Sequence, residues 1–461
     1  MTVRKIGAWS AFGLAVVVFS PALSMASVGA LVSAHAGQAA WLSVLVGAVG
    51  VCCVALAVVP FARRYVAGGA LYTYIRHVFG DWARLLTAAA LSLGYVVGMM
   101  ALLGAFGLYA GSWLAGLGIN GAGRPTAQAV LYCGAAGLAG LLAHRGLDTS
   151  ARVSLALFAP TLPVVLVVLG AAAARDGLHL DAQLTLEGFS FGGFSQGMAA
   201  GVTFLVLFET SAATGAETRD PVRTVPRIIM AVPLVVGAAN LLATVLTVRA
   251  VQGVRAQLAE GTSPLAALAG AAGLPWLAGV ADAALAVSAL AALVGLANYG
   301  SRVWQAMGED GVLPARIGAR HPRLGTPTAG IVAMSGVSAA ALTLLGFLAG
   351  GGPFVVYRCV SVLFSYMWVI PYVLICAGAV VLLRRERCLT AVTALTATLG
   401  ALSFIWLYAG AFLEPPPYPE KAMLWLCPAA IAVGFLLLVL AHRRRRMSPV
   451  LTPLDRVEVT P

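Results

Sequence analysis

One carboxylate stands where a chain ordinarily avoids one. Residues 204–227 read F-L-V-L-F-E-T-S-A-A-T-G-A-E-T-R-D-P-V-R-T-V-P-R, and Glu209 falls a little past the middle of an apolar run. The residues after it are weak helix formers whose hydroxyls compete for backbone groups. An ionisable side chain at membrane depth is costly and is kept where it faces a cavity or a partner. Two chemistries suit Glu209: holding a substrate amine, or taking and releasing a coupling proton. The plain alternative is an acid hydrogen-bonded to a neighbouring helix. Phe204 and Phe208, one turn apart, offer an aromatic lid suited to an ammonium group, or simply packing. Ser211 adds a hydroxyl beside them.

A second irregular stretch, F-S-P-A-L-S-M-A-S-V-G, lies near the middle of the first apolar run. Pro21 removes a backbone donor and crowds the preceding turn. The backbone and hydroxyls of Ser20, Pro21, Ala22, Leu23 and Ser24 are therefore candidate receptors for polar substrate atoms. Tyr95 and Met99 of the third run are candidates for the same cavity. Asp282 and Arg358 are two further charges inside apolar runs. They are expected to pair as an outer gate; Arg358 could instead bind a substrate carboxylate or reach toward the headgroups. Glu217, Arg219, Asp220, Arg223 and Arg227 read as a cytoplasmic ion-pair latch rather than a substrate site.

The elements that must position these residues follow from composition. The chain of 461 residues is 60% hydrophobic and 10% charged. A soluble domain carries about 25% charged residues, so this chain cannot cover a globular surface and reads as a polytopic membrane protein. Apolar runs at about 8–33, 39–60, 84–115, 126–143, 152–174, 197–216, 227–251, 275–304, 326–349, 354–383, 390–412 and 423–441 predict twelve transmembrane helices. The first 35 residues mimic a signal peptide, but the run is long enough to span and another follows at once. With the N-terminus inside, Arg124, Arg175, Arg249, Arg255, Arg358 and Lys421 fall outside and the remaining 23 of 29 basic residues fall in the cytoplasm. That bias puts both termini in the cytoplasm. It also accounts for the net charge of +12 without nucleic acid.

The first and sixth runs are interrupted at similar depth, cross in opposite directions and lie five spans apart. That pattern is expected of an inverted five-plus-five repeat with discontinuous helices at a binding site. It divides the chain into a transport core at 1–384, with repeats at about 6–174 and 197–384. Helices eleven and twelve follow at 385–442, then a basic, Pro-containing cytoplasmic tail at 443–461. The seven cysteines are scattered and form no C-x-x-C, and the six histidines do not cluster. No metal or other cofactor is called for. No nucleophile elbow, phosphate loop or filter repeat argues for an enzyme, pump or channel. The expected partners are a small-molecule substrate and the lipid bilayer, and a homodimer is compatible with the sequence.

Four stretches carry a resemblance. V-A-G-G-A-L-Y-T-Y-I-R-H-V-F-G at 66–80 is similar to a Gly-Gly-x-Tyr-x-Tyr loop ending in Phe-Gly. The F-E and A-E-T-R-D-P-V-R-T-V-P-R segments resemble a Phe-Glu and Glu-x-x-x-Pro-x-x-x-Pro pattern. G-T-S-P-L at 261–265 and N-Y-G-S-R-V-W-Q-A-M-G-E-D-G-V-L-P at 298–314, with T-P-T-A from 326, look like later loops of the same proteins. Together they resemble the amino acid–polyamine–organocation superfamily of amino acid permeases, over nearly the whole chain. The resemblance implies alternating access, with substrate amine and carboxylate groups bound at unwound parts of helices one and six. It implies an amino acid carrier in a bacterial cytoplasmic membrane, coupled to protons or exchanging. An amine or polyamine carrier and a sodium-coupled permease stand as alternatives. Two departures matter. S-P-A-L-S-M-A replaces the Gly-Ser-Gly type of break common in helix one, and helix five lacks the lysine that some proton-coupled members use; Arg152 sits at its mouth.

Overall fold

A computed structural model describes residues 19–65, 69–145, 160–210, 212, 220–322 and 325–447. Among the described residues the chain is helical throughout, with no strand. The helices are α1 (Pro21–Ala36), α2 (Ala40–Arg64), α3 (Leu71–Phe79), α4 (Asp81–Gly116), α5 (Pro125–His144), α6 (Thr161–Asp176), α7 (Leu180–Leu184), α8 (Phe191–Val202) and α9 (Pro221–Gly253). They continue with α10 (Arg255–Ala259), α11 (Pro264–Ala271), α12 (Pro275–Glu309), α13 (Ala315–Gly318), α14 (Thr328–Leu348), α15 (Pro353–Met367), α16 (Val369–Arg385), α17 (Ala391–Leu413) and α18 (Glu420–Met447). Six of them open on proline, at Pro21, Pro125, Pro221, Pro264, Pro275 and Pro353. The first helical position needs no N–H donor, and the fixed φ of proline suits it.

Nine described stretches are long and apolar enough to cross a membrane. Twelve were expected from the sequence. Pro21–Arg64 forms one stretch of 44 residues bent at a short 3-10 turn, where two spans were expected. α6 and α8, in the expected fifth and sixth runs, have 16 and 12 residues; 152–159, 211 and 213–216 of those runs lie outside the described residues. The expected tenth run is divided at Trp368, between α15 and α16.

Burial separates the bundle into a centre and a rim. The most apolar window of α4 is 72% buried and that of α12 is 61% buried, against 22% for α17 and α18. Leu395, Leu399, Leu436 and Leu437 of the two rim helices are exposed. Exposed leucines in such number suit contact with lipid rather than water. α12 packs along α4, α9 along α2 and α1, and α8 wedges between α1, α2, α15 and α17. Small residues permit that wedge. A Cβ on Gly197 would come within 2.9 Å of the Ala36 side chain.

Candidate functional site

The first break is made by one residue. Ser20 adopts a left-handed conformation, φ 38° and ψ 71°, and α1 begins at the next residue. Pro21 is thus the start of a helix, not a kink inside one. The Ser20 side chain does not cap α1; its hydroxyl pairs with that of Ser288 on α12 at 2.8 Å. The early N–H groups of α1 are therefore left without a side-chain cap. Ser24 donates to the Pro21 carbonyl at 2.9 Å and stays within its own helix, and Ala22 is fully buried.

The second break spans more residues and begins ahead of Glu209; the soft spot expected at 210–215 lies mostly outside the described residues. α8 ends at Val202, seven residues ahead of Glu209, and residues 203–207 are turns. Leu205 N–H reaches the Val202 carbonyl at 2.8 Å, and Thr210 N–H reaches the Leu207 carbonyl at 2.9 Å. Leu207 has φ 78°, which a branched-chain leucine rarely adopts. One tyrosine holds this geometry. Tyr372 of α16 accepts from Leu207 N–H at 3.1 Å and donates to Glu209 Oε2 at 2.7 Å. Glu209 is 1% exposed, and its Oε1 is buried with no hydrogen-bond partner among the described residues.

A cavity lies between the breaks. Phe19 and Leu23, on either side of Ser20, wall it, together with Thr203, Phe204, Val206 and Leu207 of the second break. Its open volume is about 50 Å³. α4, α12 and α15 supply the remaining wall, and among the described residues no charged side chain lines it.

Several expected residues sit elsewhere. Phe208 does not line the cavity; its ring packs on Tyr372, centroids 5.5 Å apart. Tyr95 and Met99 are buried behind it, Tyr95 edge-on to Trp368, while Gly98, Ala101 and Leu102 of the same helix reach the wall. The expected Asp282–Arg358 pair does not form. Ser263 donates to Asp282 in a buried contact, and Arg358 pairs with Glu420. The acid near the start of α12 finds the hydroxyl of the serine that caps the neighbouring α11, whereas the arginine finds a full counter-charge on α18. The Glu420 carboxylate also lies 3.2 Å from His35 Nε2, and His35 Nδ1 donates to Gln196 Oε1 at 3.1 Å. Of the latch residues, Asp220 and Arg223 are 3.9 Å apart and largely exposed. Ser211, Glu217, Arg219 and Arg152 lie outside the described residues.

The sequence reading missed Tyr372, Ser288, His35, Gln196 and Glu420. Tyr372 and Ser288 sit in apolar helices with no local signal beyond a polar atom. Glu420 heads the last helix, where its acid suits the helix N-terminus and gives no hint of a partner on α15.

A profile of the amino acid permease family matches residues 6–437. Over 207 residues the chain is 31% identical to proteins named as uncharacterized transporters in Mycobacterium bovis and in two strains of Mycobacterium tuberculosis. The match covers 44% of this chain and 42% of each relative, so the chain spans less than half the length of the curated relatives it matches. The family profile, by contrast, runs across both broken helices and through most of α18. This chain belongs to the amino acid permeases, within the amino acid–polyamine–organocation superfamily, and is a multi-pass membrane protein of a transporter family.

Proposed function

We propose that this protein is a secondary transporter that carries an amino acid across the membrane by alternating access. The carrying observation is the cavity walled by both helix breaks. The N-terminus of α1 reaches it from one side and the C-terminus of α8 from the other. The first presents N–H groups and a partial positive charge, the second carbonyls and a partial negative charge. A zwitterion with a carboxylate and an ammonium a few ångströms apart matches both ends at once.

Packing supports the five-plus-five reading. Helices expected to be equivalent meet each other: α1 with α8, α2 with α9, α4 with α12 and α5 with α14. The cross-contacts are reciprocal too. α2 meets α8 as α9 meets α1, and α4 meets α14 as α12 meets α5. A two-fold axis in the membrane plane requires such reciprocity. On this reading the chain crosses twelve times, α17 and α18 flank a ten-helix core, and the arginine bias sets both termini in the cytoplasm of a bacterium.

Glu209 is the proton-carrying candidate. Its carboxyl touches the hydroxyl that props the second break, so a change in its charge acts on that break directly. Its Oε1, without a partner among the described residues, gives the amine-carrier reading one observation of its own, although it does not face the cavity. Flux in proteoliposomes tests the proposal. Saturable uptake of a radiolabelled amino acid, accelerated by the same amino acid inside, is expected. Glu209→Gln should retain that exchange and lose net uptake driven by a pH gradient. Flux that neither saturates nor shows counterflow means a channel and overturns the proposal.

A further inference from the structure

We infer that the substrate is an amino acid with a small, uncharged, apolar side chain. This rests on the amino acid reading above and adds what the cavity accepts. The inference comes from where the polar groups are committed. The three charges singled out inside the apolar runs are turned elsewhere. Glu209 is bound by Tyr372, Arg358 by Glu420 and Asp282 by Ser263, and none of the three lines the cavity.

The wall hydroxyls are committed as well. Thr203 donates to the Ser361 carbonyl at 2.5 Å, and Ser361 donates to the Tyr357 carbonyl at 2.7 Å. Their protons tie the second break to α15 and do not point to a ligand. The third wall hydroxyl, that of Tyr357, is engaged with Ser27 of α1. The rest of the described wall is largely hydrocarbon, from Leu23, Ala101, Val206, Leu296 and Phe364. A ligand's ammonium and carboxylate can use the helix ends, but a guanidinium or second carboxylate would be buried there without a counter-charge, and an amide oxygen without a free donor among the described wall residues. Burying an unpaired polar group is costly, and an unpaired charge far more so.

Size narrows the class further. The open volume of about 50 Å³ compares with roughly 10–15 Å³ for one water on this scale. A few heavy atoms fill it. The wall is also tight opposite the first break, where a Cβ added to Gly98 would come within 2.8 Å of the Phe364 ring. Alanine, valine, leucine, isoleucine and methionine fit these limits in composition.

The test is a binding panel on the full-length purified protein in lipid nanodiscs, read by thermal shift and by competition against a radiolabelled apolar amino acid. Alanine, valine, leucine, isoleucine and methionine form one set; aspartate, lysine, arginine and asparagine form the other. Members of the first set are expected to compete at concentrations at least tenfold lower. A member of the second set that binds as tightly as the best of the first overturns the inference while leaving the amino acid reading intact. Silence from both sets, with a response to putrescine or to nothing, overturns the amino acid reading and this inference with it. Ala101→Leu supplies a second arm, with folding checked by size-exclusion profile. It should weaken leucine and methionine more than alanine, by tenfold or more. Equal weakening of all would mean that the side chain sits somewhere other than this cavity.

Discussion

At the first break one serine turns left-handed and a proline opens the helix beyond it. At the second, five residues of turn and then Phe208 separate the end of α8 from Glu209. The two are propped differently. Ser20 leans on Ser288 through a pair of neutral hydroxyls, whereas Tyr372 holds both the Leu207 N–H and the Glu209 carboxylate. A short break needs one unusual dihedral angle. A long one leaves several backbone groups to be satisfied, so it draws a side chain from another helix. Only the second prop contains an ionisable group, and so only the second can be loosened by a proton. On the proposed reading, the first break serves substrate recognition and the second recognition with control.

The two broken helices are joined at a distance from their breaks. His35 at the end of α1 meets Gln196 of α8, and Glu420 gathers His35 and Arg358. Removing Glu420 should disturb both broken helices together and give the largest effect. Glu420→Ala leaves a mostly buried arginine without its counter-charge, a loss of about 3–5 kcal/mol. Denaturant unfolding in detergent checks it, and a change under 1 kcal/mol would mean the cluster does not hold these helices.

Tyr372→Phe should act on the second break alone. It strands a buried N–H and removes the neighbour of a buried carboxyl, a cost of about 2–3 kcal/mol. Transport should fall more steeply than stability, because the break itself is reshaped. If Tyr372→Phe matched the wild type in both, the account of the second prop would be wrong. Ser288→Ala should act on the first break, at about 1 kcal/mol. In a double-mutant cycle with Ser20→Ala the coupling should be about 0.5–1.5 kcal/mol, and additivity would show that the hydroxyl pair contributes nothing.

The smallest effect is expected far from both breaks. Arg64 forms an exposed pair with Glu386, just beyond the last residue of α16. Its hydrogen bond holds the Glu386 carboxyl below the usual glutamate value. A carboxyl lowered on folding contributes above its unfolded value, about 4.3, and loses that contribution as pH falls through the lowered folded value. The gap between wild type and Glu386→Gln should therefore be slight at neutral pH, screened by salt, and vanish in acid. A gap that widened in acid would reverse the sign.

Legibility differed between the breaks. Pro21 pointed to the first, but the residue type was not sufficient. Pro60 lies inside α2, and Pro226 and Pro233 inside α9, without ending either helix. What distinguishes Pro21 is Ser20, which needs Ser288 from a distant helix to hold its conformation. The second break was expected at 210–215, of which 211 and 213–215 lie outside the described residues, and the turns at 203–207 were not anticipated. Thr203–Leu207 reads as ordinary apolar helix, because the force that unwinds it comes from Tyr372. Asp282 and Arg358 were correctly marked as notable and wrongly paired, since proximity of two charges across helices depends on how those helices turn.

Composition and periodicity by themselves determined that this chain lives in a bilayer, that it is built of helices, and which segments carry unusual polarity. Those properties follow from the cost of exposing apolar surface to water and of leaving backbone groups unpaired in lipid, and each is set by local residues. Tertiary structure alone decided which side chain meets which. The Tyr372–Glu209 contact, the Arg358–Glu420–His35 cluster and the uncharged wall between the breaks each join residues more than 60 positions apart. Short-range contacts between polar atoms fall away within an ångström, so no spacing along the chain could have fixed them.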